Sequence, residues 1–170
     1  MAMDARAHFM DWLRDAHAME QQAETMLNAQ AKRIEHYPEL HARIEQHIEE
    51  TRGQAALLEK CIEQLDGSTS SFKDMGGKMA AMAQGMGGMF TSDEVVKGGS
   101  ASYAFEHFEI ANYRALIGAA DYLGEPEIRT SLERILKEEE AMAKWLEEHL
   151  PTITKTFLER AEQDDTTAKR

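Results

Sequence analysis

The segment from Tyr103 to Tyr113, YAFEHFEIANY, places two carboxylates inside a largely apolar run. Glu106 and Glu109 are three residues apart, and residues at this spacing share one face of a helix. A carboxylate buried in an apolar face destabilises a fold unless a donor, a cation or a metal ion compensates its charge. The segment therefore predicts either a solvated helix face or a buried site that holds a cation.

Glycine and proline divide the rest of the chain into long helical segments. Asp4 can cap the first, and Pro38 stands where one helix ends and the next begins. Gly124 and Pro126 separate the third segment from the fourth, and Pro151 is expected to end the fourth. We predict helices over residues 4–36, 38–66, 93–124 and 126–150, and a short C-terminal helix over 152–162. No segment alternates with period two, so the expected fold class is all-α.

The connection over residues 67–92 is the longest between predicted helices. Its 26 residues are too many for a tight antiparallel turn and predict a crossover that lets the third helix run parallel to the second. One long crossover is typical of ferritin-like four-helix bundles. Five methionines in this segment share a helical spacing, which favours packing onto the bundle over copper(I) binding. They are Met75, Met79, Met82, Met86 and Met89.

Ionisable residues interrupt the apolar stripe of each long helix near its middle. Mid-length positions of neighbouring helices meet at the same level whichever way the helices run. The candidate site residues are Glu20, His47, Glu50, Glu106, Glu109 and Glu139. Any one of them is more often a solvated residue than a ligand, but coincidence at one depth favours a shared polar layer. Inward-pointing carboxylates and imidazoles suit iron or manganese, with one or two ions per chain.

Composition limits which binding partners and which cellular compartment are expected. The 170 residues suit one domain over residues 1–162 with a flexible tail over 163–170. The net charge of −12 argues against nucleic acid or an anionic membrane as a partner. One cysteine, Cys61, and an N-terminus without a long apolar run favour a cytoplasmic setting. Trp12 and Trp145 fall outside the strictest core positions, which predicts a homodimer.

Five segments carry a resemblance to a known family. They are DWLRDAHAMEQQAE (11–24), YPELHARIEQHIEET (37–51), GGMFTSDEVVKG (87–98), FEHFEIANY (105–113) and EEEAMAKWL (138–146). In this order they resemble the YciE/YciF-type ferritin-like proteins of bacteria, most of all the YciE branch. The resemblance covers nearly the whole chain. It implies a rubrerythrin-related bundle, often dimeric, in proteins linked to bacterial stress responses, without a settled activity.

The resemblance also implies a ligand pattern, which this chain follows only in part. Rubrerythrin-like sites take Glu from the first helix, Glu-x-x-His from the second, Glu from the third and Glu-x-x-His from the fourth. Glu20 and Glu109 match the first and third roles. The second helix has the reversed order, His47 and then Glu50.

The fourth helix departs further from the pattern. It has Glu139, but Met142 stands where the second histidine would be. Glu106 or His17 could replace that histidine. One ion, or an unequal pair of ions, is therefore as consistent with the sequence as a full two-metal site.

Two functions follow from these features. The first is an iron or manganese protein that handles peroxide or oxygen. The alternative is a non-catalytic stress protein that keeps the fold and acts through its surface or dimer face. Whether the chain is an enzyme stays open at this point.

Overall fold

The computed structural model describes residues 4–66, 92–163 and 165–170, and these ranges contain four long α-helices and no strand. The helices are α1 (Ala5–Arg33), α2 (Pro38–Asp66), α3 (Glu94–Leu123) and α4 (Pro126–Glu162). This architecture confirms the predicted all-α, four-helix fold class. None of the described helices is long and apolar enough to cross a membrane. The predicted crossover over 67–92, with its methionines, lies outside the described residues apart from Ser92.

Local sequence signals set the helix boundaries. The Asp4 carboxylate accepts a hydrogen bond of 2.7 Å from the backbone N–H of Ala7, as expected of an N-cap. Gly124 ends α3 with φ of 68°, a left-handed conformation that glycine adopts without a steric penalty. Pro126 then occupies the first turn of α4, where its missing N–H has no intrahelical acceptor.

Two apolar clusters fill opposite ends of the bundle. The first joins the N-terminal halves of α1 and α4 to the C-terminal halves of α2 and α3. Its members include Phe9, Leu13, Leu58, Ile62, Tyr113, Leu116, Ile128 and Leu132. The second joins the remaining halves of the same helices. Its members include Leu27, Ile34, Leu40, Ile44, Val95, Met142 and Leu146.

The membership of these clusters fixes the direction of every helix. α1 and α4 run from the first cluster to the second, whereas α2 and α3 run from the second to the first. α1 packs mainly against α2, and α3 packs mainly against α4. The parallel course of α2 and α3 agrees with the predicted one-crossover layout.

The fourth helix continues through Pro151, so the prediction of a separate short helix over 152–162 is wrong. A proline inside a helix removes one hydrogen bond and costs roughly 3 kcal/mol. Packing beyond the proline offsets that cost, because Ile153 is 7% exposed and Phe157 also packs against the second cluster.

Two residues near the C-terminus contact the bundle, whereas the flexibility of the tail over 163–170 stays a prediction. The Tyr37 hydroxyl donates to the carbonyl of Ala168, a residue only 4% exposed. The backbone N–H of Val95 donates to the carbonyl of Lys169 at 3.1 Å. The tail therefore connects the α1–α2 turn with the start of α3.

If packing beyond Pro151 holds α4 together, Ile153→Ala should destabilise the protein by about 2–4 kcal/mol, because it opens a cavity in the second cluster. Leu158→Ala is the matched control, since Leu158 lies on the same segment but is 55% exposed. It should change stability by less than about 0.5 kcal/mol. Urea denaturation of both variants measures the difference. Equal effects would show that the segment contributes no core packing.

Candidate metal centre

A layer of buried polar side chains separates the two apolar clusters. All four helices contribute to it. Its members are Glu20 of α1, His47, Thr51 and Gln54 of α2, Glu106 and Glu109 of α3, and Glu139 of α4, each no more than 2% exposed. Apolar residues continue each core stripe on both sides of the layer. The polar residues are therefore enclosed by the two clusters.

Helical spacing aims these side chains inward. Glu139 follows Ile135 by four residues and precedes Met142 by three, and both neighbours are fully buried. Glu106 and Glu109 are one turn apart on the buried face of α3. Burial of the flanking hydrophobic residues therefore carries the carboxylates into the core.

Four of these residues form a compact group of potential metal ligands. His47, Glu106, Glu109 and Glu139 each offer one donor atom, and these atoms all lie within 4.8 Å of one another. His47 Nε2 is 3.3 Å from Glu106 Oε1 and 3.5 Å from Glu139 Oε2. Bonds of about 2.1 Å to one ion separate adjacent ligand atoms by roughly 3.0–3.5 Å. The observed spacings suit a shared ion.

The group has more acceptors than donors. Glu106 Oε2, Glu109 Oε1 and both carboxylate oxygens of Glu139 are buried without a hydrogen-bond partner. Buried polar atoms are rarely left in this condition, and each one costs free energy. One oxygen of each of these carboxylates lies close enough to the others to share an ion, so the residues present fit a bound cation.

Burial raises the pKa of three carboxyl groups in the layer. The pKa of Glu106 is raised to about 8, because loss of hydration outweighs the opposing effect of His47. The pKa values of Glu20 and Glu109 are raised well above the usual range, first by burial and then by neighbouring carboxylates. Without metal, these three groups therefore hold protons at neutral pH.

His47 and Glu139 form an ion pair in the metal-free layer. Burial lowers the pKa of His47, but Glu106, Glu139 and Glu50 outweigh it and raise that pKa well above its ordinary value. Burial raises the pKa of Glu139, but His47 and then Glu106 and Glu109 outweigh it and lower that pKa to about 2. Binding of a metal must displace the imidazolium proton, since a histidine ligand is neutral.

Glu50 lies outside the four-ligand group, on the outer side of His47. Its Oε2 is 2.7 Å from His47 Nδ1 and 3.2 Å from Arg43 Nη1, and its Oε1 accepts from Gln46 Nε2 at 2.8 Å. A carboxylate on Nδ1 holds the proton there and leaves Nε2 free to face the group. The structure thus places Glu50 as the residue that orients His47.

Glu20 also lies outside the four-ligand group, although it belongs to the same layer. Its Oε1 accepts a hydrogen bond from the buried hydroxyl of Tyr113, and its Oε2 has no hydrogen-bond partner. The charges of Glu139, His47 and Glu106 all affect the pKa of Glu20. Glu20 is therefore an electrostatic neighbour of the group.

Among the described residues, no other histidine joins the four-ligand group in place of the missing second histidine. His17 is buried, but its Nε2 lies 2.9 Å from Glu59 Oε1. Met142 is fully buried in the second apolar cluster. The four-ligand group contains one imidazole and three carboxylates.

Sequence reasoning missed Thr51 and Gln54, both buried in the layer. They follow His47 by four and seven residues, so they occupy the next core positions of α2. Three successive polar residues at core positions were the available signal. Neutral side chains at core positions are a weaker signal of a metal site than carboxylates.

The fold and the four-ligand group define an antiparallel-paired four-helix protein with a buried carboxylate–histidine site. Residues 4–159 match the family model described as "Domain of unknown function (DUF892)". The chain belongs to this family.

Solved structures show the same fold. A protein from Xanthomonas campestris pv. campestris is 48% identical, with 94% of this chain and 99% of that chain covered and a TM-score of 0.78. The Escherichia coli stress protein YciF is 24% identical (88% and 96% covered, TM-score 0.75). YcfI of Rhodopseudomonas palustris, named as a candidate structural protein, is 25% identical (85% and 94% covered, TM-score 0.71). These likenesses confirm the ferritin-like fold.

The raised pKa of Glu106 predicts how the stability of the metal-free protein depends on pH. The native state retains this proton between about pH 4.5 and 8, whereas the unfolded chain has lost it. The free energy of unfolding should therefore fall as the pH rises through this range. Glu106→Gln should make that fall shallower, as measured by urea denaturation from pH 5 to pH 8. Glu140→Gln, at an exposed site, should leave the slope unchanged. A Glu106→Gln slope equal to wild type would contradict the assignment.

Proposed function

We propose that this protein binds iron or manganese at the four-ligand group and acts on peroxide or dioxygen. The observation that carries the proposal is a buried group of one imidazole and three carboxylates in which four carboxylate oxygens have no hydrogen-bond partner. His47, Glu106, Glu109 and Glu139 would hold the ion. Bound iron or manganese would supply the redox chemistry.

The charges around the group support a cation rather than a self-contained polar network. In the described ranges the buried side chains include no lysine and one arginine, Arg43, whose partner is Glu50. The carboxylates of the group therefore face His47 as their one nearby cationic partner. An uncompensated buried carboxylate is costly, so a divalent ion would stabilise the native state.

The donor types favour iron or manganese over softer metals. Imidazole and carboxylate suit these ions, whereas copper(I) prefers thiolate and thioether ligands. Cys61 is buried in the first apolar cluster, away from the polar layer. Met142 lies in the second cluster, although it follows Glu139 by three residues.

A stress-related role is drawn from YciF, whose description names it a stress protein. The similarity to YciF shows a shared fold, and the stress-related role of this chain is part of our proposal. Membership of the YciE branch, expected from the sequence, is likewise proposed.

A second candidate function is a non-catalytic structural or interaction protein. The replacement of the second histidine by Met142 favours it, and so does the description of YcfI. Exposed aromatic side chains on α1 and α3 also suit an interaction surface, with Trp12 48% and Phe108 45% exposed. Metal binding distinguishes the two candidates.

We also propose that the protein forms a homodimer through α1 and α3. Trp12 and Tyr122, the latter 81% exposed, line a groove of about 300 Å³ together with Ala115 and Ala119. Trp145 instead stacks on His149 with ring centroids 3.9 Å apart, so its role is packing within the chain. Sedimentation should show a dimer, and Trp12→Glu should shift it to monomer. A wild-type monomer would contradict the proposal.

Metal should raise the melting temperature of the protein at neutral pH. Fe(II), kept anaerobic, or Mn(II) binds deprotonated ligands, and near pH 4.5 protons compete for the same atoms. We expect a clear rise at pH 7.5 and none near pH 4.5, measured by scanning calorimetry on chelator-treated protein. Identical melting curves with and without metal at pH 7.5 would favour the interaction-protein candidate.

Replacement of two carboxylates by leucine should separate their roles. Burial and neighbouring carboxylates raise the pKa of Glu109, and a raised glutamate pKa lowers the stability of the native state at neutral pH. Glu109→Leu removes that cost and should stabilise the metal-free protein by about 1–3 kcal/mol at pH 7.5. Glu139→Leu should destabilise it by a similar amount, because His47 loses its ion-pair partner. Both should abolish the melting-temperature rise with metal.

Glu140→Leu is the control for this pair, since Glu140 lies next to Glu139 but its side chain is 42% exposed. It should change stability by less than about 0.5 kcal/mol and leave metal binding intact. If Glu109→Leu and Glu139→Leu both behave like this control, the buried site does not exist.

A further inference from the structure

Each residue of the four-ligand group is at most 2% exposed, so an ion must pass between helices to reach it. α1 packs mainly against α2, and α3 packs mainly against α4, so close helix packing covers those two sides of the bundle. The other two sides lie between α1 and α3 and between α2 and α4. We therefore expect the ion to enter on one of these.

The α1–α3 side is closed at the level of the polar layer. Tyr113 of α3 is fully buried, and its hydroxyl donates to Glu20 of α1. Ile110 and Leu116, three residues before and after Tyr113, are also buried. A cation on this side would meet an aromatic ring and apolar side chains, which makes its passage costly.

The α2–α4 side carries polar side chains from the surface to the layer. Gln54 is fully buried, and its Nε2 donates to Glu138 Oε2 at 3.0 Å. The Glu138 side chain is 28% exposed, and this residue directly precedes the ligand Glu139. Thr51, 1% exposed, lies between His47 and Gln54 on one face of α2. Polar residues thus lead from solvent towards the four-ligand group.

Two buried oxygens in this row have no hydrogen-bond partner, Gln54 Oε1 and Thr51 Oγ1. Hydroxyl groups inside helices usually donate to the carbonyl four residues earlier. Thr25, Thr130 and Thr154 do so at 2.8–3.0 Å. Buried polar atoms are rarely left unpaired. Oxygens of this kind can replace part of the water shell of a hard cation as it passes.

Another contact between the layer and the surface is less suited to a cation. Glu50, on the outer side of the imidazole, is 3.2 Å from Arg43 Nη1. Arg43 is 9% exposed, so it places a fixed positive charge where an incoming cation would pass. On the α2–α4 side, Arg134 Nε is 3.7 Å from Glu138 Oε1, but its side chain is 69% exposed and its charge is screened by solvent.

We propose that Gln54 and Glu138 form the entry route by which a hydrated divalent cation passes between α2 and α4 to the four-ligand group. Glu138 captures the ion at the surface, because a carboxylate raises the local concentration of cations. The Gln54 amide then turns from Glu138 and offers Oε1 to the ion, and Thr51 offers Oγ1 further inward. The inference rests on the proposed metal function and adds to it the residues that set the rate of ion uptake.

Timed uptake and release of Mn²⁺ by chelator-treated full-length protein at pH 7.5 tests the entry route. Excess chelator stops uptake at set times, and a chelator chase of loaded protein gives the release rate. Gln54→Met keeps a similar volume but removes the amide. It should slow uptake and release by the same factor, about 10-fold or more, and leave Kd unchanged. An entry route affects both rates equally, whereas loss of a ligand raises Kd.

Two glutamines of α2 serve as controls. Gln64 Nε2 donates to Glu127 Oε2 at 3.0 Å, so it makes the same kind of contact between the same two helices, away from the layer. Gln46 Nε2 donates to Glu50 Oε1 on the other side of the imidazole. Gln64→Met and Gln46→Met should both keep the wild-type rates of uptake and release.

Glu138→Gln tests the capture step and does not depend on a change in the core. It should slow uptake by about 3-fold or more and make uptake less sensitive to salt, because the lost charge acts at the surface. This variant also tests the entry route if Gln54→Met fails to fold.

The outcomes separate the entry route from the proposed function. Wild-type rates in both Gln54→Met and Glu138→Gln would overturn the route and leave the four-ligand group standing. A raised Kd with unchanged uptake in Gln54→Met would make Gln54 a ligand, and slower uptake in Gln46→Met would place the route past Glu50. Either result overturns the inference. No Mn²⁺ bound by wild type would overturn both the route and the metal function.

Discussion

The structure depends on the enclosure of four carboxylates between two apolar clusters. Each cluster buries its hydrophobic residues on one side of the polar layer, so folding carries Glu20, Glu106, Glu109 and Glu139 out of water. The cost of that transfer is large for an ionised carboxylate and smaller for a protonated one. The metal-free protein therefore lowers the cost by raising the pKa of three of them, which keeps a proton on each. A bound cation would replace those protons as the source of charge compensation.

The topology explains why the layer can be held at one depth. α2 and α3 run parallel, and α1 and α4 run opposite to them, so every helix crosses from one cluster to the other. Apolar residues on both sides of each buried acid fix its height along the helix axis. Contacts away from the layer add to this, because the tail joins the α1–α2 turn to α3 and the segment beyond Pro151 extends the second cluster. The positions of the carboxylates are thus set mostly by hydrophobic packing.

The sequence predicts the helices and the layer well, because both follow from the period of a helix and from proline and glycine positions. Prediction from the sequence fails where the role of a residue depends on which residues surround it in the folded structure. Glu50 is three residues from His47 and contacts its Nδ1, whereas Nε2 faces the four-ligand group. Sequence spacing alone does not show which of the two nitrogens a carboxylate contacts. Pro151 ends a helix by local rules, but packing of Ile153 overrides them. Thr51 and Gln54 carry no charge, and their unpaired oxygens are visible only once burial and hydrogen bonds are known.

Nitrogen and oxygen donors are distributed unequally across the polar layer. His47 approaches the four-ligand group from α2 and is oriented by Glu50, so it supplies one nitrogen to one position. Across the layer the available atoms are oxygens, and Tyr113 holds Glu20 in place. Imidazole suits iron, whereas carboxylate and carbonyl oxygens suit Mg²⁺, Ca²⁺ and Mn²⁺. A metal ion at the four-ligand group would therefore have His47 as its imidazole donor, and Glu50 sets the orientation of that imidazole.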